Sequence, residues 1–202
     1  MPKKREILIY TFGELSPEAK QKAIDDYRHK GWAFDEFHAE NLTEWFSEDL
    51  KSEWGIEADP KKIYWQLSYV QGDHLVFSGD VDLDVFLKKV GEFDKYKPLK
   101  DGKDWMAQAR VTESSRGFGS GTMSGEAELT DYEYDEESPE EYDKLEALTV
   151  ELEETVKEGA REAASELMSA GYKEIEYQSS DEVISESIEA NELEFDENGK
   201  MI

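Results

Sequence analysis

Carboxylates are the side chains of this sequence with the most chemistry in them. In "DYEYDEESPEEYDKLE" (131–146) they stand beside three tyrosines, with one lysine among them. Paired carboxyls can share acid and base roles, bind a cation, or meet a basic partner. The first use needs two groups roughly 5–10 Å apart with separated pKa values. Sequence spacing does not single out such a pair, because carboxylates recur throughout the second half of the chain. "DVDLD" places Asp80, Asp82 and Asp84 like the first three ligands of a calcium loop. The sixth and twelfth positions then hold Val85 and Gly91, where glycine and glutamate are needed. Asp82 reads better as a helix cap. The glycine run "GFGSG" (117–121) joins two expected strands and lacks the lysine of a phosphate-binding loop. His29, His38 and His74 form no metal-binding spacing. "QGDH" (71–74) is the fallback site for a small ligand or an enzyme, since polar loop residues often carry function. There is no cysteine and no GxSxG motif. We expect no catalytic residue, no metal and no cofactor.

The elements that carry these residues follow from caps and periodicity. "REILIYTF" (5–12) reads as a strand. Ser16 caps a helix over 15–31, with Pro17 in its first turn and Gly31 as its stop. A second helix is expected over 34–54, with Phe34, Phe37, Leu42, Trp45, Phe46 and Leu50 at helical spacing. Alternation predicts a hairpin over 63–79, turning at 71–73. Asp82 opens a short helix to Gly91. Strands are expected over 105–111 and 121–134, joined by a glycine-rich tip at 114–121. Ser138 to Glu141 forms a capping box for a long helix over 139–169. Its apolar stripe runs from Tyr142 and Leu145 through Leu148, Leu152, Val156, Ala160 and Ala163 to Leu167. Gly171 reads as its end. A strand over 173–177, a helix from Ser180 to Ala190 and a terminal hairpin turning at Asn198-Gly199 complete the chain. The fold class is α+β: an antiparallel sheet built from hairpins, with helices packed on one face and one long helix in the C-terminal half. The 202 residues suit a single domain, 1–202.

Charge decides between functions. Residues 1–110 carry 22 acids and 17 bases, whereas residues 111–202 carry 28 acids and 6 bases. The net charge of −27 therefore resides almost wholly in the second half. Such a surface repels nucleic acid and anionic membrane, so neither is an expected direct partner. The only early apolar run, "ILIYTF", is too short for a membrane span, and the expected location is the cytoplasm. Tyrosine supplies anchoring area at interfaces, and acids steer a basic partner. The expected partner contact is therefore Asp131, Tyr132, Glu133, Tyr134, Asp135, Glu136 and Glu137, continued by Glu140 and Glu141. Mimicry of duplex DNA would further require these acids, the outer face of the long helix and the acids of 181–197 to converge on one side.

Three stretches carry a resemblance: "FGELSPEAKQKAIDDYR", "IYWQLSYVQGD" and "SSDEVISESIEANELEFDENGK". Together they resemble a group of uncharacterised bacteriophage accessory proteins, some with antitoxin-like labels. The resemblance implies a protein acting inside the bacterial host, and it brings no catalytic residues. The expected function is a phage-encoded acidic protein that binds and inhibits a basic, nucleic-acid-binding host protein. Its alternatives are an antitoxin-like neutraliser of a toxin, and a ligand binder or enzyme using the 71–74 turn.

Overall fold

The computed structural model describes residues 8–114, 122–130 and 139–202. The fold is α+β, with all strand pairs antiparallel. The chain falls into two compact units, one of residues 1–40 with 172–202, the other of residues 41–171.

The first unit is built on α1 (Pro17–His29) and α6 (Asp181–Ala190). Both start on the serine that the sequence nominates. Ser16 Oγ accepts from Ala19 N at 3.2 Å, and Ser180 Oγ accepts from Val183 N at 3.4 Å. The core between them is Phe12, Leu15, Ala19, Ala23, Ile24, Ala33, Ile184, Ile188 and Phe195, all buried. The strand expected over 5–12 is, in its described part, only β1 (Tyr10–Thr11). Glu14 reaches back to accept from Thr11 N at 2.8 Å, which turns the chain into a short 3-10 helix. Partnering β1 is β8 (Glu194–Phe195). Beyond β8 the expected turn forms: the Asp196 carboxylate accepts from the N–H groups of Asn198 and Lys200. Gly199 has φ +76°, and a Cβ there would lie 2.1 Å from the Ala19 carbonyl oxygen.

The second unit holds a sheet of order β2-β3-β6-β7. Its strands are β2 (Ile56–Gln66), β3 (His74–Val81), β6 (Ala107–Ser114) and β7 (Thr122–Leu129). The β2–β3 hairpin starts earlier than its alternation predicts. Pro60 interrupts the pattern, and the strand absorbs it through a register shift between Ala58 and Ile63 at the sheet edge. One cross-strand row, Ala58, Gly79, Val111 and Gly125, is small and faces inward. The next row, Glu57, Asp80, Arg110 and Glu126, is charged and faces solvent.

Helix α2 (Glu36–Trp54) buries Leu42, Phe46, Leu50 and Trp54. This i, i+4 series wins over the competing series of Phe37 and Trp45, which stay exposed. Asp82 caps α3 (Leu83–Lys89), accepting from Asp84 N and Val85 N. The segment 92–105, which follows the expected helix to Gly91, contains α4 (Phe93–Tyr96) and two short strands, β4 (Lys100–Asp101) and β5 (Asp104–Trp105). It is held by two fully buried side chains, Tyr96 and Leu99.

The largest difference from expectation is α5, which runs as one helix from Pro139 to Gln178. Gly171 does not end it, and no strand forms over 173–177. Gly171 is used for approach: a Cβ there would sit 2.5 Å from Leu67 Cδ1 and 2.9 Å from Phe46 Cζ. The alternation in "KEIEY" is absorbed by the helix.

Candidate acidic interface

Helix α5 is fixed by its apolar side. Leu145, Leu152, Val156, Ala160, Ala163 and Leu167 are buried, as their spacing predicts, whereas Leu148 and Tyr142 are half-buried. Thr149 joins the stripe and satisfies its hydroxyl on the Leu145 carbonyl at 2.9 Å. Two glycines let neighbours close in. A Cβ on Gly125 of β7 would lie 2.1 Å from the Glu153 carbonyl oxygen, and one on Gly159 would lie 2.4 Å from Phe86 of α3.

With that side committed to the sheet and α3, the opposite side of α5 is solvent-facing and acidic. Glu154, Glu158, Glu162 and Glu166 follow at successive i, i+4 positions, all exposed. Lysines of the same unit meet this face at its ends. Lys89 lies 3.9 Å from Glu166, Lys95 lies 3.0 Å from Glu151, and Lys157 lies 2.7 Å from Glu154. The Glu151 carboxylate, with Tyr96 behind it, holds the Lys95 ammonium well above the usual lysine range. Glu158 and Glu162, in the middle, have no ion pair among the described residues. Like charges at i, i+4 cost helix stability, so this ladder is a local debit in the fold. Its rungs are about 6 Å apart along the axis, from 1.5 Å per residue. A single DNA strand presents a charge about every 3.4 Å. The ladder thus has roughly half the axial charge density of one DNA strand.

The outer sheet face is a second charged surface. Arg110 Nε donates to Asp80 at 2.8 Å, with Glu126 and Glu128 close enough to hold the guanidinium more firmly protonated. Gln108 donates to Glu128. These side chains line a concavity of about 310 Å³. At the edge, Lys51 meets Glu57 at 2.7 Å. Arg110 and Lys51 are thus already engaged by carboxylates of this surface.

Of the expected partner contact, Glu140 and Glu141 lie exposed in the first turn of α5. Asp131, Tyr132, Glu133, Tyr134, Asp135, Glu136 and Glu137 lie outside the described residues, as does the glycine-rich tip from Ser115 to Gly121. The acids of 181–197 belong to the other compact unit. There Glu182, Glu186 and Glu189 are exposed on α6, while Asp181 is held by Arg28 at 2.5 Å.

The shorter motifs have local duties. Asp80 binds Arg110, Asp82 caps α3, and Asp84 accepts from Lys100 Nζ at 2.7 Å and Trp105 Nε1 at 3.2 Å. The lysine bond lowers the Asp84 pKa, with help from Trp105. In the 71–74 turn, Asp73 Oδ2 accepts from Ser68 N at 2.9 Å and Val70 N at 3.2 Å. His74 Nδ1 lies 2.9 Å from the Gly72 carbonyl. His29 Nδ1 lies 2.6 Å from the Asp25 carbonyl, and His38 Nδ1 lies 2.7 Å from Asp35. Among the described residues no three His, Asp or Glu side chains group to hold a metal ion, and no helix is long and apolar enough to cross a membrane.

Sequence periodicity misses one surface feature. Phe37, which shares the helical spacing of the apolar residues of 34–54, is 65% exposed, and Trp32 just before the helix is 41% exposed. The signal was present as two incompatible apolar series in one helix, only one of which can face inward. Compared with models of protein families, with curated proteins and with solved structures, the chain shows no significant match.

Proposed function

We propose that this is an acidic binding protein, encoded by a phage, that occupies a basic nucleic-acid-binding protein of the host and inhibits it without chemistry. The observation that carries the reading is the acidic face of α5, with Glu158 and Glu162 unpaired on a rigid helix. It lies in the half of the chain that holds 28 acids against 6 bases. A surface of this kind costs the fold self-repulsion and gains a fast encounter with a positive partner. The ladder's low charge density supports contact with a basic patch over a close copy of duplex DNA. The phage origin rests on the sequence resemblance.

The test is affinity purification from infected host cells with mass spectrometry of what co-elutes. Wild type is run beside a variant with Glu140, Glu141, Glu158 and Glu162 changed to Gln. The reading expects a nucleic-acid-binding host protein that the variant retains much less well. Full retention by the variant contradicts it. A toxin recovered one-to-one and encoded beside this chain would favour the antitoxin-like alternative.

A further inference from the structure

The corner between α1 and α2, in the first unit, presents aromatic rings that the core does not use. Ala33 is buried and pins the corner, and Gly31 turns the chain at φ +74°. Asp35 fixes the start of α2: its Oδ1 accepts from His38 N at 3.2 Å and lies 2.7 Å from His38 Nδ1. On this rigid base the Trp32 ring stands edge-on to Tyr27 at 5.5 Å, while Phe37 stands edge-on to His38 at 5.9 Å. Both pairs belong to one short stretch of chain, from Tyr27 to His38.

Isolated exposed rings need no explanation, but a fixed cluster of them does. Acids accompany these rings in the chain: Asp35, Glu36 and Glu40 fall within 31–40, a stretch with no lysine or arginine. Glu36 and Glu40 flank Phe37 on α2, both exposed and without an ion pair among the described residues. The Trp32 ring already carries a cation, Lys30 Nζ, 4.5 Å from its centroid. Aromatic faces attract cations, and a guanidinium can stack on a ring while its planar fork meets carboxylates. Tryptophan and arginine are also the residues that most often dominate binding energy at interfaces.

We infer that this corner docks an arginine-bearing segment of a partner protein, with guanidinium groups stacked on Trp32 and Phe37 and paired with Glu36 and Glu40. The inference does not rest on the acidic face of α5, and either can fail without the other.

The test uses the full chain, labelled for NMR, titrated with a nona-arginine peptide at about 0.3 M salt, where the Debye length is well under 8 Å. A nona-lysine peptide is the comparison. The Trp32 indole N–H is assigned through Trp32→Phe. The expected result is a saturable shift of that signal and of the Phe37 and His38 amides, larger with arginine than with lysine. Trp32→Ala with Phe37→Ala should weaken binding at this corner about tenfold, as loss of interface anchors does. Glu140→Gln with Glu141→Gln should leave it unchanged. Because both rings are exposed, the spectrum away from the corner should be preserved in the double variant. Four results overturn the inference. They are shifts confined to α5, equal response to lysine, shifts that follow protein concentration alone, and shifts produced by phosphatidylglycerol vesicles in place of the peptide.

Discussion

Asp49 shows how a single acid in this chain can work against the fold. Partial burial, and then the nearby Glu53 charge, push its carboxyl above the ordinary range, and Lys89 only partly offsets them. A carboxyl raised in the fold holds its proton more tightly there than in the unfolded chain. Ionised Asp49 therefore subtracts stability at neutral pH, and the deficit closes as pH falls through its folded value. Asp49→Asn should raise the urea midpoint at pH 7 and leave it nearly unchanged at about pH 3, below both carboxyl values. Asp196 has the opposite sign. The Lys200 N–H, with that of Asn198, holds its carboxyl below the ordinary range. Its contribution is present above the unfolded value and is lost as pH falls through the lower folded one. Asp196→Asn should therefore destabilise at pH 7 and match wild type once both states are protonated. Urea unfolding across this pH range checks both signs on one instrument.

At the level of elements, close approach decides more than capping does. Gly125 lets β7 meet the backbone of α5, and the obstructing atoms belong to main chain that cannot step aside. Gly125→Ala should cost about 1–3 kcal/mol, the usual range for overpacking, read as a lower chemical-denaturation midpoint. The acid ladder predicts the reverse. Glu158→Gln with Glu162→Gln removes three like-charge i, i+4 pairs, each costing about 0.2–0.5 kcal/mol. The variant should melt slightly higher while binding its partner less well, a combination that an idle surface would not give. Caps were readable because they are local: Ser16, Ser180 and Asp82 each bond to an N–H two or three residues on. The end of α5 was not readable, because Gly171 answers to Phe46 and Leu67, far away in sequence. The small elements between 92 and 105 were hidden for the same reason. Tyr96 is placed by its hydroxyl contact with Thr155 at 2.6 Å, across 59 residues.

For the molecule as a whole, a net charge of −27 on 202 residues sets the terms. Self-repulsion opposes compaction, and added salt screens it. The exposed ion pairs pull the other way, but each contributes little. The melting temperature should therefore rise between about 0.01 and 0.15 M salt, as the Debye length falls from about 30 to about 8 Å. Composition made the acidity plain, and helical spacing put Glu154, Glu158, Glu162 and Glu166 on one side of a helix. Which of them remain unpaired was not legible, because Lys89, which meets Glu166, arrives from a separate element. The same acidity supplies the central claim, that this surface holds a basic protein by charge and competes with nucleic acid for it. The most direct measurement is the dissociation constant for the co-purified host protein as a function of salt, with and without duplex DNA. The account predicts that affinity falls steeply with rising salt and that DNA displaces the protein. Affinity indifferent to salt, or a complex that binds DNA as well as the free host protein does, would contradict it.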